Sequence, residues 1–391
     1  MPWKRAFPED QRVQFVVEAT YGTSTVADLC RFFGISRKTA YKWLARYDQE
    51  GPAGLIDRSR APHTHPNALA EEVVERLVAL RRLHPTWGPR KIIASIRARE
   101  PELVLPAANT VGDLLKRLHL VRARRYRVRT PAMTAPFGAC GAPNDVWCAD
   151  FKGWFRVRDG TRCDPFTLTD AYSRYLLRCD AVASTGVDAV RASLESAFKE
   201  FGLPKAIRHD NGPPFATKGA GGLSRLSVWL IHLGITPERI EPGHPEQNGR
   251  HERMHRTLKE ETALPPRQTI RAQQLAFDRF CKQYNEERPH EALGQKPPAS
   301  VYEPSLRRMP PMLPELEYPP DVELRIVRST GEIKWQNRHV YIGEALAHEI
   351  VALHVIAYMT HAVCLGPIEL GRIKDDSPHL GLIRPNRTRR R

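Results

Sequence analysis

The spacing of apolar residues changes three times along this chain, and no single-layer fold accommodates those changes. Up to about residue 120 apolar side chains recur every three or four positions, the helical period; from about 144 to 182 they alternate, the strand period. Helical and strand segments then alternate to about 300, and the last stretch alternates again. A chain patterned in this way builds separate modules, and its 391 residues leave room for two to four.

The first module, residues 1–60, reads as helices carrying Val13, Phe15, Val16 and Ala19, then Val26, Ala27, Leu29 and Phe32. A break at Gly34-Ile35-Ser36 leads into a further helix over 39–47, with Ser36 placed to cap it. This is a helix-turn-helix pattern. Its second helix would lie in a DNA major groove and present Arg37, Lys38, Tyr41, Lys42 and Arg46. A helical hairpin with a solvated basic face accounts for the segment equally simply. Residues 61–121 predict a second three-helix module, with helices at 68–83, 89–99 and 110–118 and Asn109 as an N-cap. Residues 122–137 open with Arg122, Arg124, Arg125, Arg127 and Arg129, a run easier to lay along phosphates than to bury, and read as a DNA-contacting linker.

Residues 138–300 predict a mixed-sheet α/β domain. Strands fall at 145–151, 154–158, 166–169 and 175–182, with an Asp159-Gly160 turn, and are followed by helix 187–201, strand 205–209, helix 223–233 and strand 235–239. Helices 248–260 and 269–285 close the domain, and Trp147 and Trp154 read as core residues. The eight prolines of 297–320 predict an extended linker over 301–320. A small β-barrel is expected over 321–380, and residues 381–391 read as a basic tail.

Charge narrows the partners. Sixty Lys and Arg against 44 Asp and Glu give a formal +16, a field that attracts polyanions, so nucleic acid is the first candidate. The seven cysteines are scattered, odd in number and never spaced C-x2-C, which argues against a disulfide framework or a Cys-rich zinc site and fits a reducing cytoplasm. Neither an apolar leader nor a stretch of the roughly 18 apolar residues needed to cross a bilayer is present, so no membrane partner is expected.

Phosphodiester chemistry assisted by metal ions needs hard oxygen ligands, because two ions about 4 Å apart must serve the attacking and the leaving oxygen. The α/β domain offers Asp150 within the apolar strand Val146-Trp-Cys-Ala-Asp-Phe151, Asp210 directly after strand 205–209, and Glu246 and Glu252 around the start of the next long helix. An acid inside a buried strand is costly unless paired or metal-bound, which makes Asp150 the most informative of these. Singly the others are weak: Asp210-Asn211-Gly212 is an ordinary turn sequence, and a Glu in a first helical turn usually compensates the dipole.

In combination they carry a resemblance. The strings Asn144-Asp-Val-Trp-Cys-Ala-Asp-Phe-Lys152, Leu168-Thr-Asp-Ala-Tyr-Ser-Arg174, Asp210-Asn-Gly212 and Gly243-His-Pro-Glu-Gln-Asn-Gly-Arg-His-Glu-Arg253 resemble those of bacterial insertion-sequence transposases. The core of that family is similar to retroviral integrases, with an RNase H-like fold and an Asp-Asp-Glu triad. Outside the core, His84-Pro-Thr-Trp-Gly-Pro-Arg-Lys91, Tyr284-Asn-Glu-Glu-Arg-Pro-His-Glu-Ala-Leu293 and the Gly-Glu-Ile-Lys-Trp pattern at 331–335 also look like the family.

The resemblance implies that Asp150, Asp210 and Glu252 are catalytic and hold two Mg²⁺ or Mn²⁺ ions. The family's nominal 35-residue spacing would select Glu246. The pattern Pro-x-x-x-Gly-x-x-Glu selects Glu252, with the extra length in the Gly-rich loop at 218–223. Glu252, Arg256 and Lys259 also share one helix face at i, i+4 and i+7, which makes Arg256 and Lys259, with Asn248 ahead of them, expected DNA contacts. A metal-activated water would free a 3′ hydroxyl at an element end, and that hydroxyl would attack target DNA. The implied partners are double-stranded element ends and target DNA, with a homodimer or larger oligomer on them. The rivals are a regulator with a decayed core and an RNase H-like nuclease that cuts without joining. His209, His244 and His251 read as ordinary loop or phosphate-contact positions.

Overall fold

The computed structural model describes residues 8–59, 68–121, 140–210, 212–217, 220–240, 249–376 and 381–383. It divides into two compact units, Met1–Leu69 and Ala70–Arg391.

In the first unit α1 (Pro8–Tyr21), α2 (Val26–Phe33) and α3 (Arg37–Glu50) enclose Phe15, Val16, Leu29, Cys30, Ala40, Trp43 and Leu55. The break between the last two helices is built as its sequence implies. Gly34 takes a left-handed φ of 65° that few other residues adopt at no cost. The Ser36 hydroxyl accepts from the Thr39 amide at 3.1 Å, capping α3. Arg12 is buried, spanning the Leu55 carbonyl at 2.8 Å and the Asp57 carboxylate at 2.9 Å, with its guanidinium 4.1 Å from the Trp43 ring.

The second unit opens with α4 (Glu71–Leu83), α5 (Pro89–Arg99) and α6 (Ala108–Arg117). Within these three helices and their connections Leu77, Trp87, Ile92, Val111 and Leu115 are the most deeply buried side chains. Asn109 is not the cap of α6, because the helix starts two residues earlier than expected and Ala107 takes the cap position without a side-chain bond.

A mixed sheet follows, made of β1 (Val146–Phe151), β2 (Phe155–Arg156), β3 (Arg162–Asp170), β4 (Leu176–Val182), β5 (Ala206–His209) and β6 (Thr236–Arg239). β4, β3 and β1 are antiparallel neighbours, while β1, β5 and β6 run parallel; β2 pairs with the start of β3. Alternation along each strand sorts the faces. Trp147, Ala149, Phe166, Leu168 and Ile207 point toward α7 (Val187–Phe201) and α8 (Arg225–His232) and build the larger core with Phe198 and Trp229. The opposite face is covered by α9 (Gly249–Leu258), a π-helical turn at Lys259–Ala263 and α10 (Ile270–Glu286). Met254, Leu258, Phe277 and Phe280 pack there against Leu176 and Cys179. Trp147 is core, as expected; Trp154 is 58% exposed because it sits in the gap between β1 and β2, beside the Arg156 and Arg162 guanidiniums.

The proline-rich stretch is extended but fastened to the core. Leu203 donates to the Arg307 carbonyl, Ser305 to that of Phe201, and the Arg307 guanidinium donates to three carbonyls, Pro204, Leu233 and Gly234. Beyond it lie β7 (Glu323–Ile326), β8 (Glu332–Trp335), β9 (Arg338–Tyr341), β10 (Ile350–Ala357), β11 (Thr360–Leu365) and β12 (Ile368–Lys374). They form a four-stranded antiparallel sheet, β12-β11-β10-β7, and a hairpin, β8-β9. The expected barrel is therefore not closed among the described residues. Its apolar side, including Val351, Val363 and Leu365, is covered instead by the hairpin's Ile333 and Val340 and by Val228 and Ile231 of α8, so burial does not require closure.

Candidate active site

Asp150 points to the α9 side of the sheet, since Trp147 and Ala149, its odd-numbered neighbours, fill the opposite core. On that face its register partner on β3 is Thr167. On the other side β1 runs parallel to β5 with Cys148 opposite Arg208. Two residues further along both strands stand Asp150 and Asp210, so the parallel register brings two carboxylates to the same end of the sheet. Asp210 is exposed just past β5, and its carboxylate accepts the Gly212 amide at 3.1 Å.

The helix brings the third acid. α9 turns His251, Met254, His255 and Leu258 inward and leaves Glu252 and Arg256 outside. Lys259, also exposed, begins the π-helical turn. The electrostatic consequence is plain: the Asp150 carboxyl, whose side chain is only 20% exposed, is pushed up to about 7. Burial contributes most, then the Asp210 charge, and Glu252 adds to it; the Phe151 amide and Lys152 work in the opposite direction. Asp210, just past β5, and Glu252, on α9, thus both oppose ionisation of Asp150 on β1, and a bound cation would relieve that opposition.

Beneath these acids lies a polar layer that the sequence did not announce. The Thr167 hydroxyl lies 2.6 Å from Nε2 of His251, 2.6 Å from Nε2 of His255 and 3.1 Å from the Asp150 carbonyl. Thr169 Oγ1 is 3.0 Å from Nδ1 of His251. Burial pushes His251 down to about 3 and His255 to about 2, so both imidazoles are neutral. The 3.9 Å approach of His255 Nδ1 to the Asp150 carboxyl is therefore a contact, not an ion pair. His251 is a buried helix residue, not the loop histidine expected. The available signal was the i, i+3, i+4, i+7 set 251, 254, 255 and 258, which marks the inner face of α9. His209 is likewise structural: buried, stacked on Phe215 with ring centroids 4.9 Å apart, and donating through Nδ1 to the Asp210 carbonyl at 2.7 Å.

Two strings outside the core meet each other. Thr86 donates to the Glu261 carboxylate at 2.6 Å, Arg288 donates to the same oxygen at 3.1 Å, and Lys91 donates to the Pro289 carbonyl. Arg90 pairs with Glu291 at 2.7 Å. Burial lowers Lys91 to about 7, with Arg288 assisting, and lowers His84 to about 4 and His290 to about 3. The segments 84–91 and 284–293 are thus the seam that docks the α4–α6 module on the sheet domain.

Arg37, Lys38, Tyr41 and Lys42 are all exposed on α3, opposite the buried Ala40 and Trp43. Arg122, Arg124, Arg125, Arg127, Glu246, Asn248, His244 and the basic tail lie outside the described residues.

Residues 141–245 and 233–298 match two models described as integrase core domain. The chain carries an integrase core. Residues 11–63 match a helix-turn-helix domain, and 39–115 a homeodomain-like domain, so these matches precede the integrase core in the chain. The chain is 28% identical over 274 residues to the insertion element IS407 uncharacterized 31.7 kDa protein of Burkholderia multivorans, covering 69% of this chain and 87% of that protein. It is 28% identical over 238 residues to the insertion element IS476 uncharacterized 39.2 kDa protein of Xanthomonas euvesicatoria, covering 60% of this chain and 65% of that one. The HTLV-2 integrase catalytic core domain in complex with magnesium aligns with 14% identity and a TM-score of 0.34, over 42% of this chain and 99% of that one. Among the described residues no helix is long and apolar enough to cross a membrane.

Proposed function

We propose that this protein is a bacterial insertion-sequence transposase that binds element-end DNA and catalyses phosphodiester cleavage and strand transfer, working in the cytoplasm. The observation that carries the reading is the Asp150 carboxyl, raised to about 7 by burial first and then by the charges of Asp210 and Glu252. Such a cluster is costly for folding alone and suited to hard divalent cations. The mixed sheet, whose parallel β1–β5 register brings Asp150 and Asp210 to the same end, and α9, which carries Glu252, support it.

The donor set fits two Mg²⁺ or Mn²⁺ ions, with Asp150, Asp210 and Glu252 as the ligands. When bound, the ions supply an activated nucleophile and charge stabilisation at the scissile phosphate. The chain's own residues orient the substrate. Arg256 and Lys259 lie exposed beyond Glu252 on α9 and the turn that follows, and Lys152 stands beside Asp150; these cations hold phosphates in place. α3 offers Arg37, Lys38, Tyr41 and Lys42 for the major groove, and Arg122, Arg124, Arg125, Arg127 and Asn248 are assigned further DNA contacts. Holding two element ends and a target requires a dimer or a larger assembly.

The test is Mg²⁺- or Mn²⁺-dependent nicking and joining of labelled DNA taken from either side of the gene. Asp210→Asn and Glu252→Gln should abolish both steps while DNA binding survives, and Glu246→Gln should stay active. A dead Glu246→Gln beside an active Glu252→Gln overturns the choice of third acid. Wild-type binding without cutting favours the regulator, and cutting without joining favours the nuclease.

A further inference from the structure

The polar layer under the acids can be assigned proton by proton. The Asp150 carbonyl can only accept, so the Thr167 hydroxyl, 3.1 Å away, donates its one hydrogen there. Both imidazoles at 2.6 Å must then donate to Thr167, which places a hydrogen on Nε2 of His251 and of His255. His251 is consistent with this, because its bare Nδ1 faces the Thr169 hydroxyl at 3.0 Å, which donates to it. Both ring nitrogens of His251 are thereby used.

His255 differs. Its Nδ1 carries a lone pair and lies 3.9 Å from Oδ2 of Asp150, on a residue that is itself buried. A bare nitrogen lone pair facing a carboxyl needs a proton or a cation between them, and 3.9 Å is too long for a hydrogen bond. An ion about 2.1 Å from each donor spans up to about 4.2 Å, which accommodates the gap.

From this geometry we infer that His255 is a ligand, through Nδ1, of the ion held by Asp150. The site is then a mixed oxygen and nitrogen site, with His251 and Thr167 orienting the ligand without touching the ion. The inference rests on the proposed metal-dependent function and adds a nitrogen donor to its three carboxylates. Imidazole shifts a carboxylate site away from Mg²⁺ toward Mn²⁺ and later first-row ions. Thr167 fixes the tautomer of His255, and groups that orient a ligand in this way typically contribute 10–100-fold to metal affinity.

The experiment is Mn²⁺ binding to the full-length protein, read by pulsed electron paramagnetic resonance for nitrogen coupling to the ion. Wild type should bind Mn²⁺ with a ¹⁴N coupling that changes to the ¹⁵N pattern when only histidine is ¹⁵N-labelled, a readout that requires no variant. The coupling should vanish in His255→Gln and persist in His251→Gln. Thr167→Val should weaken Mn²⁺ binding about tenfold, and Thr167→Ser should restore it. Mn²⁺ bound at a site that Asp150→Asn removes, but with no nitrogen coupling in wild type, overturns the inference and leaves the proposed function standing. Coupling that persists in His255→Gln also overturns it. Mn²⁺ affinity unchanged by Asp150→Asn overturns both readings.

Discussion

Asp150 and Asp170 sit on adjacent antiparallel strands, both buried enough to have their carboxyls raised, yet they stand at opposite ends of the β1–β3 ladder and do different things. Asp170 is surrounded by donors: the Asn144 amide at 2.8 Å, the Ser173 amide at 2.7 Å and the Ser173 hydroxyl at 2.6 Å. Its burial is offset by hydrogen bonds, so it ties the start of β1 to the β3–β4 turn. Asp150 has the Phe151 amide and Lys152 on one side of the balance, and on the other Asp210, Glu252 and its own burial. A satisfied buried carboxylate belongs to the scaffold; one opposed by other carboxylates marks a place for a cation.

The largest effect that could break this comparison is catalytic. Asp150→Asn should reduce single-turnover nicking by at least about 10³-fold, roughly 4 kcal/mol, whereas Asp170→Asn should leave the rate per folded molecule within a few-fold of wild type. Similar losses from both would erase the distinction. Next comes stability: Asp170→Asn puts an amide NH₂ against donors and should lower the unfolding free energy by about 2–3 kcal/mol in denaturant melts.

Asp150→Asn should do the reverse in metal-free protein. A carboxyl raised from its ordinary value near 3.8 to about 7 favours the folded state when protonated. That contribution is fully present below about pH 4 and is lost as pH rises through 7. The substitution should therefore stabilise the protein on the order of 2 kcal/mol at pH 8 and show no advantage near pH 4. The smallest effect lies in the other unit. Arg37→Ala should reduce DNA affinity and lower the salt slope of binding by about one, with turnover at saturating DNA unchanged.

The satisfied half of the comparison explains which features were legible in the sequence. The alternation around Trp147 and Ala149 set the strand face, and the cap at Ser36 set the start of α3, because both act over a few neighbouring residues. The choice of Asp150 rested on a single anomaly, an acid in an apolar strand, and its two companions on strings that resemble a family. Trp154 read as core because alternation continues past Phe151, but the gap between β1 and β2 turns it outward. The barrel expectation failed because sequence alternation shows that one sheet face is covered, not what covers it, and here α8 does so. The His251–Thr167–His255 layer joins residues 84 and 88 positions apart, a separation that local pattern does not encode. It was visible only as two histidines on what should have been an apolar helix face.

Asp210 and Glu252 raise the Asp150 carboxyl because the three acids are built to share cations. The direct measurement is thermal unfolding at pH 8 as Mg²⁺ is titrated into wild type, Asp150→Asn and Asp170→Asn. Wild type and Asp170→Asn should gain stability with rising Mg²⁺, since an ion bound only by the folded state stabilises it by mass action, and Asp150→Asn should gain little or none. An equal gain in Asp150→Asn, or none in wild type, would contradict the account.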